Sequence, residues 1–98
     1  MMPRGVERNI DVSALGPPEP LVLTLAAAEQ LQPGEFLRMH HRMKPCHLYG
    51  ELACRGYGHD TRCTVDGMCE VFIWRQGDVV AEAAAQAAAA ALAPWPAN

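Results

Sequence analysis

The segment LGPPEPL at 15–21 places Pro17, Pro18 and Pro20 between two apolar stretches. A proline fixes its own φ and has no N–H to give to a strand ladder. Any strand arriving from the N-terminal side must therefore stop here. Proline is also well suited to the first turn of a helix, where backbone N–H groups lack partners in any case. Glu19 in that turn favours the positive end of the helix dipole. The cluster thus dictates a strand before it and a helix after it.

The rest of the chain follows that lead. RNIDVSAL (8–15) alternates Ile10 and Val12 with polar neighbours, as a strand does. PLVLTLAAAEQL (20–31) reads as a helix with Leu21, Leu25, Ala28 and Leu31 facing inward. QPGE (32–35) is a turn, and EFLRMHH (35–41) a second strand. In that strand Leu37 and Met39 share one face, and Phe36, Arg38 and His40 share the other. PCHLYGELACRG (45–56) reads as a second helix, opened by Pro45 and stopped by Gly56, with Cys54 in the core and Tyr49 and Leu52 packing. YGHDTRCTV (57–65) and MCEVFIWRQ (68–76) flank Asp66-Gly67, a hairpin signal. A two-residue turn there sets Val65 against Met68, Thr64 against Cys69 and Cys63 against Glu70. Cys63 and Cys69 then point to opposite faces, and no disulfide between them is expected.

Strand, helix, strand, helix and hairpin predict an α/β (α+β) two-layer sandwich. It has a four-stranded mixed sheet with two helices on one face. We divide the chain into an extension (1–8), a domain (9–77) and an Ala-rich tail (78–98), helical over 80–93 and ended by PWP. The tail has few large apolar residues. It is either a frayed appendage, a lid on the open sheet face, or a contact with another chain. Phe36, Phe72 and Trp74 fall on that face, as a partner site or beneath the tail. A homodimer through the open face or the tail follows from the same pattern.

The formal net charge of -3 argues against a nucleic-acid partner. No apolar run is long enough for a membrane span, and the start has no h-region, so a cytoplasmic protein is expected. The four cysteines include no C-x-x-C pair and are expected to be thiols. No triad order, phosphate loop or paired catalytic carboxylates stand out, so an enzyme is the less favoured reading, and no cofactor is indicated.

The order IDVSALGPPEPL, LQPGEFLRM, KPCHLYGEL, GYGHD, CEVFIWR resembles the TusA-like sulfur-carrier superfamily. Within it, the chain is most similar to a branch of small bacterial proteins known only as a domain of unknown function. The likeness covers about residues 9–76. It implies a β-α-β-α-β-β sandwich. In the sulfur carriers the first helix opens with Cys-Pro-x-Pro, and the cysteine carries a persulfide. Here that tetrapeptide is Pro17-Pro18-Glu19-Pro20, and Pro17 has no nucleophile.

Three functional readings follow. The first is a non-catalytic binding or carrier-like module that presents Pro17, Pro18, Glu19, Pro20, His41, Lys44, Pro45, His47 and Tyr49 to a partner protein or small ligand. The second is a sulfur carrier or redox protein using Cys46 as a persulfide or redox thiol, at a helix N-terminus after Lys44. The third is a metal-binding protein using Cys46 and His47 with His40 or His41. The bland alternative to the last two is an incidental cysteine in a solvated loop.

Overall fold

The computed structural model describes residues 5–64 and 66–92. The expected Val65–Met68 pairing and the PWP stop lie outside them. The elements are β1 (Val6–Asp11), α1 (Glu19–Glu29), β2 (Glu35–His41), α2 (Cys46–Cys54), β3 (Tyr57–Cys63), β4 (Cys69–Arg75) and α3 (Val79–Ala90). Among the described residues no helix is long and apolar enough to cross a membrane.

The four strands form one mixed sheet in the order β1-β2-β4-β3. β1 runs parallel to β2, and β4 is antiparallel to both β2 and β3. Both crossovers, through α1 and through α2, step across the sheet in the same direction. Right-handed crossovers then put both helices on the same face. The core between them and the sheet holds Val12, Ala28, Leu31, Leu37, Met39, Leu48, Leu52, Val71 and Ile73. Leu21 and Leu25 of α1 pack at its margin, as the helical spacing predicts. At the other end of α1, Arg75 Nη2 donates to the carbonyls of Glu29 and Leu31, both at 2.9 Å. That satisfies acceptors which the helix itself leaves open.

The opposite face is not open. Ala81, Ala85 and Ala89 recur every fourth residue, so α3 carries one stripe of methyl groups. All three are fully buried, against Phe36, Phe72 and Trp74. Small side chains let the helix lie close, and the aromatic rings fill the space between. The face on which a homodimer contact was expected is thus occupied by the chain's own tail. Trp74 also packs onto Gly58, where a Cβ would come within 2.5 Å of the indole Nε1. α3 is pinned at its start by Asp78. One carboxylate oxygen accepts from Ala81 N at 3.0 Å, and the other from Gly34 N at 2.8 Å, in the turn before β2.

Two expectations about cysteine are corrected. Cys63 and Cys69 are joined in a disulfide, leaving Cys46 and Cys54 as the free thiols. The hairpin loop has one residue more than a two-residue turn. Thr64 N donates to Met68 O at 2.8 Å and Gly67 N to Thr64 O at 3.0 Å, with Gly67 at φ 92°. A glycine with positive φ ending a three-residue loop is a standard hairpin solution. It shifts the register by one and places Cys63 directly opposite Cys69. Cys54 is exposed rather than buried. It follows Leu52, one of the two buried residues of α2, by two positions, a rotation of roughly 200° on a helix.

Alkylation of the unreduced native protein is therefore expected to modify Cys46 and Cys54 alone, with Cys63 and Cys69 labelled only after reduction and read by mass spectrometry. Asp78→Ala is expected to cost about 2 kcal/mol in urea unfolding, since it removes a helix cap and a link to the β2 turn together. A loss within error of zero would mean that α3 docks by its methyl stripe alone.

Candidate functional site

A cleft of about 410 Å³ opens beyond the ends of β1 and β2, between the starts of α1 and α2. The topology makes it. Two βα units side by side leave the carboxyl ends of their parallel strands, and the N-termini of their helices, on one edge of the molecule. The proline cluster ends β1 there and begins α1, with a cis peptide between Pro17 and Pro18. Arg42 to Pro45 make the corresponding link from β2 to α2.

From the first link Leu15, Pro17, Pro18, Pro20 and Leu21 line the cleft, and from the second Arg42, Met43, Lys44, Pro45, Cys46 and His47. Met39, His41 and Leu48 complete it from the core side. Most of the predicted site residues are thus brought together. Two are not. Glu19 is exposed in the first turn of α1 and does not line the cleft. Tyr49 turns to β3, where its hydroxyl lies 2.6 Å from Thr61 Oγ1 and its ring stacks on His59 with centroids 4.6 Å apart. Burial raises the Tyr49 phenol, and the Thr61 bond partly opposes it.

Sequence reasoning missed Leu15, Leu21, Met39 and Leu48 as cleft residues. The signal for Leu15 and Leu21 was present, since they bracket the proline cluster.

His40 and His41 are separated by the strand pleat. His40 Nε2 lies 3.0 Å from Asn9 Oδ1, and Nδ1 lies 3.4 Å from Glu70, which also pairs with Arg38. That network sits on the opposite face of the sheet from the cleft. His41 faces α1 and α2 and is 5% exposed. Its Nδ1 is sealed from solvent and has no hydrogen-bond partner. Burial pushes the imidazole below the usual histidine range; neighbouring Arg42 adds to the shift, and Asp11 opposes it. His41 is therefore a neutral ring at neutral pH. Among the described residues no group of three His, Cys, Asp or Glu side chains is placed to hold a metal ion.

Cys46 is the first residue of α2, free and exposed. Neither helix start has a side-chain cap: Pro18 and Pro45 occupy the cap positions and accept from Val22 N and Leu48 N through their backbone carbonyls alone. The cleft accordingly combines apolar walls, two basic side chains, one neutral buried histidine and one thiol. It can take up a small molecule, and it can present a nucleophilic sulfur.

Fold and site define a small α/β domain with a ligand-sized cleft at a βα edge. The sequence model of the family described as uncharacterized conserved protein (DUF2249) matches residues 9–75, and the chain belongs to that family. No curated protein and no solved structure matches the chain.

The sign of the histidine shift gives a pH test. His59, partly buried against Tyr49, is lowered in the same direction, burial first and Asp60 opposing. Both rings bind protons more readily in the unfolded chain, whose value is about 6.5. The stability linked to them is complete above that value and is lost as pH falls from it through their lowered folded values. Urea unfolding of the wild type is expected to show a larger loss from about pH 7.5 to about pH 5 than His41→Gln shows. Equal losses would mean that the His41 ring is not held away from water.

Proposed function

We propose that the protein is a TusA-like binding or carrier-like module that works without catalysis, and that the cleft is where its small ligand sits. The single observation that carries this reading is the convergence of the 15–21 and 39–48 segments on one cleft of ligand size. Pockets for small ligands are typically mostly apolar, with a few placed polar groups, and start at roughly 300 Å³. The order of the proline, LQPGE and KPxxLY segments, each at a β-to-α or α-to-β junction, supports the TusA-like likeness. The net charge of -3 supports a partner other than nucleic acid. A cytoplasmic location belongs to the same reading, and there the Cys63–Cys69 pair meets a reducing thiol pool.

A second reading has Cys46 as a sulfur carrier. Its support is that Cys46 is the free thiol in the cleft, while Pro17 fills the place of the sulfur carriers' cysteine. The step would be attack of the Cys46 thiolate on the outer sulfur of a persulfide donor. It forms a Cys46 persulfide and releases the donor's thiolate, which takes up the displaced proton.

One experiment separates the two. A library of small organic fragments is screened by amide chemical shifts against wild type and Cys46→Ala. The binding reading expects shifts clustered at Leu15, Leu21, His41 and Leu48 in both proteins. Cleft binding lost in Cys46→Ala, together with a persulfide adduct on wild-type Cys46 by mass spectrometry, would put the carrier reading first. Fragments that leave the cleft unmoved would overturn the binding reading.

A further inference from the structure

The two walls of the cleft differ in chemistry. Leu15, Pro17, Pro18, Pro20 and Leu21 make one wall wholly apolar. The opposing wall, from His41 to His47, carries every polar side chain of the lining. The chain has 11 acidic residues against 8 Lys and Arg, yet no carboxylate lines the cleft, while Arg42 and Lys44 do. Neither of these cations has an ion-pair partner among the described residues, whereas Arg8, Arg38, Arg55 and Arg62 each have one.

The helix starts differ in the same sense. α1 has Glu19 in its first turn, which answers its own positive dipole end. α2 has no acidic residue in its first turn and no side-chain cap, so its end is left without a counter-charge. Independently, the His41 ring is 5% exposed, lines the cleft and makes no hydrogen bond among the described residues. With Nδ1 sealed, Nε2 is the ring nitrogen left to a ligand. A ligand atom that pairs with Nε2 gains a hydrogen bond there without breaking one inside the protein.

We infer that the cleft is a site for an amphipathic organic anion. Its acidic head meets the uncapped start of α2 with Arg42 and Lys44 and takes a hydrogen bond from His41, and its apolar body lies along Leu15, Pro20 and Leu21. The inference rests on the cleft reading above and adds the ligand's class. A bare inorganic anion leaves the apolar wall in water. An uncharged apolar compound leaves the cations and the helix end unanswered.

The probes are octanoate, octan-1-ol and inorganic phosphate, each titrated into the full-length protein by calorimetry, with amide shifts to locate the site. Octanoate is expected to bind in the cleft about tenfold more tightly than either of the other two, and the advantage over octanol to vanish in Arg42→Met/Lys44→Met. Both substituted residues are exposed, so the double variant is expected to keep the fold, to be checked by an unchanged unfolding midpoint. His41→Phe is expected to weaken octanoate while leaving octanol unchanged. Octanol or phosphate binding in the cleft as tightly as octanoate would overturn the ligand class and leave the cleft reading standing. Absence of saturable cleft shifts with all three probes would overturn both.

Discussion

The structure depends on burying both faces of β4. This strand lies between β2 and β3, and its residues from Val71 to Trp74 alternate between two cores. Val71 and Ile73 face α1 and α2, while Phe72 and Trp74 face α3. A sheet whose centre is apolar on both sides needs a layer on each. α1 and α2 are committed to one side by the hand of their crossovers. The remaining side falls to the one element left among the described residues, the Ala-rich α3. Its lack of large side chains makes an isolated helix marginal, but it also makes a helix that can lie flat over Phe72 and Trp74. The tail's order is thus a consequence of the sheet beneath it, with Asp78 fixing where it starts.

That dependence explains what could be read from the sequence and what could not. The limits of β2 at 35–41 were legible because alternation, a preceding Pro-Gly turn and a following Pro agree. The chain's two crossovers were legible for the same reason: each helix start is marked by proline. The hairpin register was not. Asp66-Gly67 signals a turn, but the length of the loop is set by one backbone conformation at Gly67, and a shift of one residue decides whether Cys63 and Cys69 face each other. Cys54 was misplaced because a short helix offers few periods from which to fix its phase. The fate of the second sheet face lay in a low-complexity segment, where composition fits an appendage and a packed helix equally well.

The candidate site was legible as two separate motifs, and their meeting is a product of topology. Residues 15–21 and 39–48 are brought together because parallel pairing of β1 and β2 aligns their carboxyl ends. The pleat then chooses between adjacent histidines. His41, on the helix side, goes to the cleft, and His40, one residue earlier, joins Asn9, Arg38 and Glu70 on the far side. Alternation alone predicted that they part. It could not tell which one meets Cys46 and His47, because the side of the sheet that receives the helices is decided by crossover hand and not by the strand's own residues.

Topology makes the two βα junctions near equivalents: each is a strand end, a proline-bearing link and a helix start on the rim of one cleft. Sequence makes them unlike. The first junction is rigid and apolar, with its one charge, Glu19, directed away from the lining. The second holds Arg42, Lys44, Cys46 and His47 beside the buried His41. In an acidic chain, keeping carboxylates off that second junction leaves its cations and its positive helix end without a counter-charge from the lining. Apolar and basic character are thus placed on opposite walls, a separation that the fold's near symmetry does not require. It is this separation, more than the size of the cleft, that gives the site a direction: one end suited to a charge and the other to what the charge is attached to.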